Sequence, residues 1–129
     1  MLSVQSHMKP LAICIVSREY PPETDFGGIG TYAALLAQGL VQRSHSVHVI
    51  TEAICHDESY EEDRGVHVHR IRNIEFAGDS SGCEEFFNRL NYSVRLRDKI
   101  AELHKQYHFD VIEGPNFGGE LFAYVEHKQ

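Results

Sequence analysis

The apolar positions of this chain alternate between short continuous runs and longer segments with helical spacing. Four runs predict strands, the first of them buried: Leu11–Ser17, Val47–Thr51, Val66–Ile71 and Asp110–Glu113. Helical spacing predicts three helices: Gly30–Gln42, Glu84–Lys105, and a last one from Gly118-Gly119-Glu120 towards His127. Strands that alternate with helices form parallel sheets through right-handed crossovers. The pattern therefore predicts a Rossmann-like, doubly wound α/β fold with the strand order 3-2-1-4.

The same spacing predicts which faces of the helices are buried. The first helix is expected to bury one apolar face: Ile29, Tyr32, Ala33, Leu36 and Leu40. The second helix is expected to bury a longer stripe: Phe86, Phe87, Leu90, Val94, Ile100 and Leu103. The acidic segment His56–Gly65 is predicted to be a solvated connection, and residues 1–9 to be a loose tail before a domain at 10–129.

Two glycine-containing loops follow the first and fourth predicted strands. In the order 3-2-1-4 the chain reverses direction between these strands, so Arg18–Gly30 and Gly114–Gly119 flank the crevice where open α/β sheets bind ligands. The first loop also leads into a helix, whose free N–H groups and positive dipole end favour an anion. The sequence therefore predicts a site for a phosphate-bearing ligand.

Composition narrows the class of protein. The chain has 129 residues, a net charge of −7 and twelve basic residues scattered among nineteen acids, which argues against nucleic-acid binding. Three cysteines without a CxxC pair are typical of a reducing compartment. The run Leu11–Val16 is too short to span a bilayer and is followed by charged residues. These features predict a cytoplasmic protein without a transmembrane segment.

The first loop, Arg18–Gly30, is called the glycine loop. One interpretation of it is a freestanding dinucleotide-binding module. Residues 28–33 satisfy G-x-G-x-x-A, and Glu52 at the end of the second strand would contact a ribose hydroxyl. Against it, the dinucleotide turn follows its strand almost immediately, whereas Arg18–Gly27 separates the strand from Gly28 here.

Read together, six segments closely resemble the N-terminal domain of family 4 retaining glycosyltransferases with the GT-B fold. They are Ser17–Glu23, Gly27–Tyr32, Val47–Thr51, Gly65–Ile71, Asp110–Asn116 and Gly118–Glu120. The resemblance covers the chain from about Lys9 onward. It implies hexosyl transfer from a nucleotide sugar to a glycan, lipid or small-molecule acceptor, with retained configuration and with no metal or other cofactor.

The resemblance also implies roles for individual residues. The glycine loop would line the phosphate end of the donor through Gly28, Ile29, Gly30 and Thr31. Four residues would lie on the acceptor side: Tyr20, Glu23, Asn116 and Glu120. The resemblance identifies no catalytic residue within this stretch.

Two features depart from the family pattern. Ser44 stands where a glycine usually ends the first helix, and a left-handed cap there would cost about 1 kcal/mol. The chain also stops at Gln129, before the donor-binding C-terminal domain, so we expect it to need that domain or a partner chain and to be inactive alone. A further alternative is a non-catalytic interaction remnant that uses its unfinished sheet edge.

Nine histidines raise the question of a metal site. His67 and His69 share one face of a strand, and His104 and His108 have i, i+4 spacing. No cysteine or carboxylate joins either pair at a recognised ligand spacing, so no metal site is predicted. Glu113 at the end of the fourth strand is interpreted as a binding or structural residue, with a general base as the alternative.

Overall fold

The computed structural model describes residues 9–22, 28–53, 57–72, 83–115, 121 and 123–125. Its strands are β1 (Ala12–Val16), β2 (Ser46–Ala53), β3 (Ser59–Asp63), β4 (Val66–Arg72) and β5 (Val111–Glu113). Its helices are α1 (Gly28–Gln42) and α2 (Glu84–Tyr107), and residues 123–125 form a further helical turn. No helix within these described ranges is both long enough and apolar enough to cross a membrane.

The five strands form one sheet in the order β3-β4-β2-β1-β5. The strands β1, β2, β4 and β5 are parallel and lie in the predicted order, so the Rossmann-like class is confirmed. The prediction for the acidic segment was wrong in part. Its residues 59–63 form β3, which pairs antiparallel with β4 at the edge of the sheet.

A tight turn explains why the acidic segment forms a strand. Arg64 and Gly65, the two residues between β3 and β4, have φ angles of 51° and 86°. Two positive φ angles are typical of the type I′ turn, whose twist matches that of a hairpin. A Cβ on Gly65 would lie 2.8 Å from Cγ1 of Val41 on α1, so this position also requires a residue without a side chain.

Helix α1 covers one face of the sheet with small residues. Gly30, Ala33, Ala34 and Ala37 are buried against an aliphatic surface of isoleucine and valine. The predicted face was partly wrong, because Ile29 and Tyr32 are exposed by 48% and 60%. The buried face of α1 is thus made of glycine and alanine, and the larger Leu36 and Leu40 pack against this core while only partly buried.

Helix α2 covers the opposite face. Its buried residues include Tyr92, Leu96, Ile100 and Leu103. Phe86 and Phe87, which we expected in the core, are exposed. A helix of 24 residues is about 36 Å long, whereas strands of five to eight residues span about 17–27 Å. The first turns of α2 therefore exceed what the strands can cover.

The end of α1 confirms the prediction for Ser44. Its φ angle is 71°, in the left-handed region. The N–H of Ser44 donates to the carbonyl of Val41 at 2.9 Å, and that of His45 donates to the carbonyl of Leu40 at 3.1 Å. These two hydrogen bonds form a Schellman motif with serine at the position where glycine is usual.

Candidate functional site

The N-terminal end of α1 faces the carboxyl ends of β1 and β5. Between them lies a cavity of about 80 Å³. Nine residues line it: Ile15, Val16, Ser17, Ile29, Tyr32, Ala33, Glu113, Gly114 and Pro115. The strands β1 and β5 are neighbours whose connections lie on opposite faces of the sheet, so this cavity occupies the predicted crevice.

Four residues predicted to line the donor phosphates form the first turn of α1. Gly28, Ile29 and Thr31 are exposed, while Gly30 is buried against the core. A Cβ added to Gly28 would meet no atom within 4 Å, so the backbone there is open to an approaching ligand. The first N–H groups of a helix have no intrahelical acceptor, and they carry the positive end of its dipole.

Glu113 and Tyr32 close the outer side of the cavity. The Tyr32 hydroxyl donates to Oε1 of Glu113 at 3.4 Å, and both side chains are exposed or partly exposed. Behind them, a Cβ on Gly114 would clash with Cδ1 and Cγ of Leu121, so a larger residue there requires the Leu121 side chain to shift. The sequence placed Glu113 at this edge, but Tyr32 was assigned to the core.

Glu52, which the dinucleotide interpretation needs for a ribose, is held by another side chain. Nε and Nη2 of Arg18 lie 3.0 Å and 2.9 Å from its Oε2. The Arg18 guanidinium also lies 5.1 Å from the ring centroid of Tyr92. A ribose hydroxyl would therefore have to share or replace a charge-assisted contact.

The acceptor-side candidates are less well supported by geometry. Tyr20 is fully buried in the core between α1 and the sheet, where burial raises the pKa of its hydroxyl. Glu23, Asn116 and Glu120 lie outside the described residues, and so does Gly27. Their proposed contact with an acceptor stays a prediction.

His67 and His69, which were predicted to share one face of a strand, both pack against His48. Nε2 of His69 lies 3.0 Å from Nδ1 of His48 on β2, and both side chains are buried. Burial, with His67 adding to it, lowers the pKa of His48 to about 4. Burial and then the neighbouring His48 lower the pKa of His69 to about 3. This cross-strand pair could not be predicted from the sequence, because it depends on the register between β2 and β4.

His104 and His108 lie at the end of α2. Nδ1 of His104 accepts the Phe109 N–H at 3.0 Å, and His108 forms the left-handed cap with a φ angle of 54°. Within the ranges that the structure describes, no three His, Cys, Asp or Glu side chains come close enough to hold a metal ion.

A known protein family and a known protein are similar to this chain in sequence. A family model described as "Glycosyl transferase 4-like domain" matches residues 27–127. An uncharacterized glycosyltransferase of Methanocaldococcus jannaschii is 42% identical over 64 residues, which are 50% of this chain and 16% of that protein.

A solved structure is similar over most of the chain. The catalytic domain of starch synthase IV from Arabidopsis thaliana, bound to ADP and acarbose, matches with a TM-score of 0.64 and 18% identity. The match covers 91% of this chain and 29% of that one. At this identity the likeness shows the fold, and the chain spans well under half the length of either relative.

Proposed function

The chain belongs to the glycosyl transferase 4-like domain family, and we propose that it forms the acceptor side of a sugar-transfer site. In this proposal a nucleotide sugar donates a hexosyl group to a glycan, lipid or small-molecule acceptor, with retained configuration. The first turn of α1 contacts the donor diphosphate. A C-terminal domain or a partner chain holds the nucleotide.

One observation carries the proposal. The open backbone at Gly28 lies at the end of α1 that faces the same cavity as the carboxyl ends of β1 and β5. A diphosphate gains negative charge as the sugar leaves, and preorganised N–H donors at a helix terminus stabilise that charge. The starch synthase domain of similar fold is bound to ADP, which fits a nucleoside diphosphate as the leaving group.

The size of the cavity favours a shared site. Ligand pockets usually enclose about 300–1,000 Å³, whereas this cavity encloses about 80 Å³. It has room for one end of a donor and leaves the remainder to be bound elsewhere. We therefore expect the 129-residue chain to transfer no sugar on its own.

Residues around the cavity have separate tasks in this proposal. Gly28 allows close backbone approach, and Ile29 covers one side of the bound group and excludes water. Tyr32 and Glu113 form the polar wall at the other side, where they orient the sugar or acceptor hydroxyl groups. No residue here is assigned to bond breaking.

A pair of glycine substitutions tests the proposal in the complete enzyme, with the proposed C-terminal domain or partner chain present. Gly28→Ala places a methyl group where the phosphate is expected, and Gly39→Ala adds one on the same helix with no atom within 4 Å at either position. We expect Gly28→Ala to lower kcat with UDP-, ADP- or GDP-sugars about tenfold or more, while Gly39→Ala leaves it unchanged.

Two results would contradict this function. Equal activity in Gly28→Ala and Gly39→Ala would show that the N-terminus of α1 is not part of the site. Sugar transfer by the isolated chain would show that a second domain is unnecessary. Melting temperatures of both variants provide the control, because each added Cβ has open space around it.

A further inference from the structure

The chain that leaves β1 crosses the carboxyl ends of two neighbouring strands. The Ser17 N–H donates to the Ile50 carbonyl at 3.0 Å, and Arg18 forms its ion pair with Glu52, so both contacts are to β2. Tyr20 then inserts its side chain into the core. This path takes the backbone towards β4, away from the strand that it has just left.

The side chain of Arg70 on β4 contacts this backbone. Its Nη2 atom lies 3.4 Å from the Tyr20 carbonyl oxygen and 3.2 Å from that of Pro21. The side chain of Arg70 is only 4% exposed. A guanidinium at such depth is stable only when acceptors surround it, because its desolvation is costly.

The edge hairpin supplies a counter-charge. Oε1 of Glu61 on β3 lies 3.4 Å from the same Nη2 atom. Glu61 is 49% exposed, so β3 brings an accessible carboxylate to an otherwise buried cation. The acidic strand that the sequence did not predict thus contacts the residue that holds the chain after β1.

We infer that Arg70 is a positioning residue that fixes the backbone at Tyr20 and Pro21 and thereby sets where the chain enters α1. The guanidinium is planar, so the N–H groups on Nη2 point towards these oxygens in fixed directions, which the freely rotating ammonium of a lysine does not reproduce. The catalytic consequence rests on the proposed function of the α1 terminus. The structural consequence stands without it.

Hydrogen exchange tests the structural consequence in this chain. We expect Arg70→Met and Arg70→Lys to raise exchange in peptides covering residues 17–22 about tenfold, with β1 and β2 unchanged. Arg72→Met is the matched control, since Arg72 lies on the same strand but pairs with an exposed Asp57 at 3.3 Å. Unchanged exchange in both Arg70 variants would overturn the inference.

Glu61→Gln keeps the test decisive if the Arg70 variants do not fold. It removes the counter-charge at an exposed position and leaves the shape of the side chain. We expect a smaller rise in exchange confined to the same peptides. A rise spread evenly over the sheet, or none, would contradict the inference.

Kinetics separate positioning from simple stability. With the proposed C-terminal domain or partner chain present, we expect Arg70→Lys to lower kcat about fivefold or more without raising KM for the nucleotide sugar, because that domain or partner binds the nucleotide. A change in KM alone would overturn the catalytic consequence. If Gly28→Ala leaves activity intact while Arg70→Lys still loosens residues 17–22, the proposed function fails and the positioning role of Arg70 remains.

Discussion

The two faces of the sheet are packed with different kinds of side chain. On the α1 side the buried residues are mostly valine and isoleucine, with Tyr20 among them, and the helix contributes alanine and glycine. On the α2 side, His48 stacks on His67 of the neighbouring strand with ring centroids 4.5 Å apart, and its centroid lies 4.1 Å from that of Tyr107 on α2. The α2 face thus adds titratable rings to its aliphatic residues, whereas the α1 face is mainly aliphatic.

This difference has a physical consequence for stability. Aliphatic packing does not depend on pH, but it tolerates little change of volume. Buried neutral histidines pack well only while they stay uncharged, since a buried imidazolium needs partners. Among the described side chains, Nε2 of His48 is buried without a hydrogen-bond partner. The α2 face is therefore sensitive to acid, and the α1 face is sensitive to added bulk.

Acid should produce the largest effect. The pKa values of His48 and His69 are lowered to about 4 and about 3 in the folded chain. The unfolded chain therefore takes up protons first as the pH falls below about 6.5, and stability declines. We expect a loss of about 2 kcal/mol per histidine between pH 7 and pH 5, measured by urea unfolding.

A double variant identifies the source of this loss. His48→Phe with His69→Phe removes both members of the pair, so no polar partner is left buried. The pH dependence between 7 and 5 should become much flatter. An unchanged slope would assign the effect to other groups.

Added bulk on the opposite face should come next. Ala37 is fully buried between α1 and the sheet. We expect Ala37→Leu to lower the free energy of unfolding by about 1–3 kcal/mol through overpacking, by the same amount at pH 7 and pH 5. Gly39→Ala is the control on the same helix, because its Cβ has open space. If the loss of unfolding free energy in Ala37→Leu depended strongly on pH, it would contradict the contrast between the α1 and α2 faces.

Gly65 lies where the hairpin touches α1, and its substitution should have a moderate effect. Gly65→Ala combines a φ angle of 86° with a Cβ only 2.8 Å from Val41. We expect a loss of about 1–2 kcal/mol, restored in part by Val41→Ala, which removes the clashing Cγ1 atom. Equal losses with and without Val41→Ala would leave backbone strain as the sole cause.

The smallest change should be a gain. Ser44 already has the left-handed geometry that glycine adopts without strain. Ser44→Gly should raise the free energy of unfolding by up to about 1 kcal/mol, measured by urea unfolding. His45 is not substituted, so the hydrogen bond from its N–H that completes the Schellman motif is kept in the variant. A destabilised variant would show that the serine side chain has a stabilising role.

The sequence was sufficient for the parallel core of the fold because β1, β2 and β4 carry apolar residues that become buried. It was insufficient for β3, in which four of the five residues are exposed and three are acidic. The two-residue Arg64-Gly65 turn was the available signal, but its type depends on backbone angles that the residues alone do not fix.

The location of the cavity could be predicted, whereas the positions of some side chains around it could not. The start of α1 lies beside the ends of β1 and β5, because the topology of the sheet brings these segments together. The outward position of Tyr32 was missed, because α1 buries Gly30 and its alanines instead. Arg70 was missed because its partners are backbone carbonyls distant in sequence.

The acidic character of β3 also gives the sheet two unlike edges. Glu61, Glu62 and Asp63 form a row of negative charge along one edge, and a second copy pairing there would place like charges side by side. At the other edge of the described sheet, β5 has three residues with Val111 exposed by 44% and a single acid, Glu113. Self-association through strand pairing is therefore opposed at β3, and a further strand meets less repulsion beside β5.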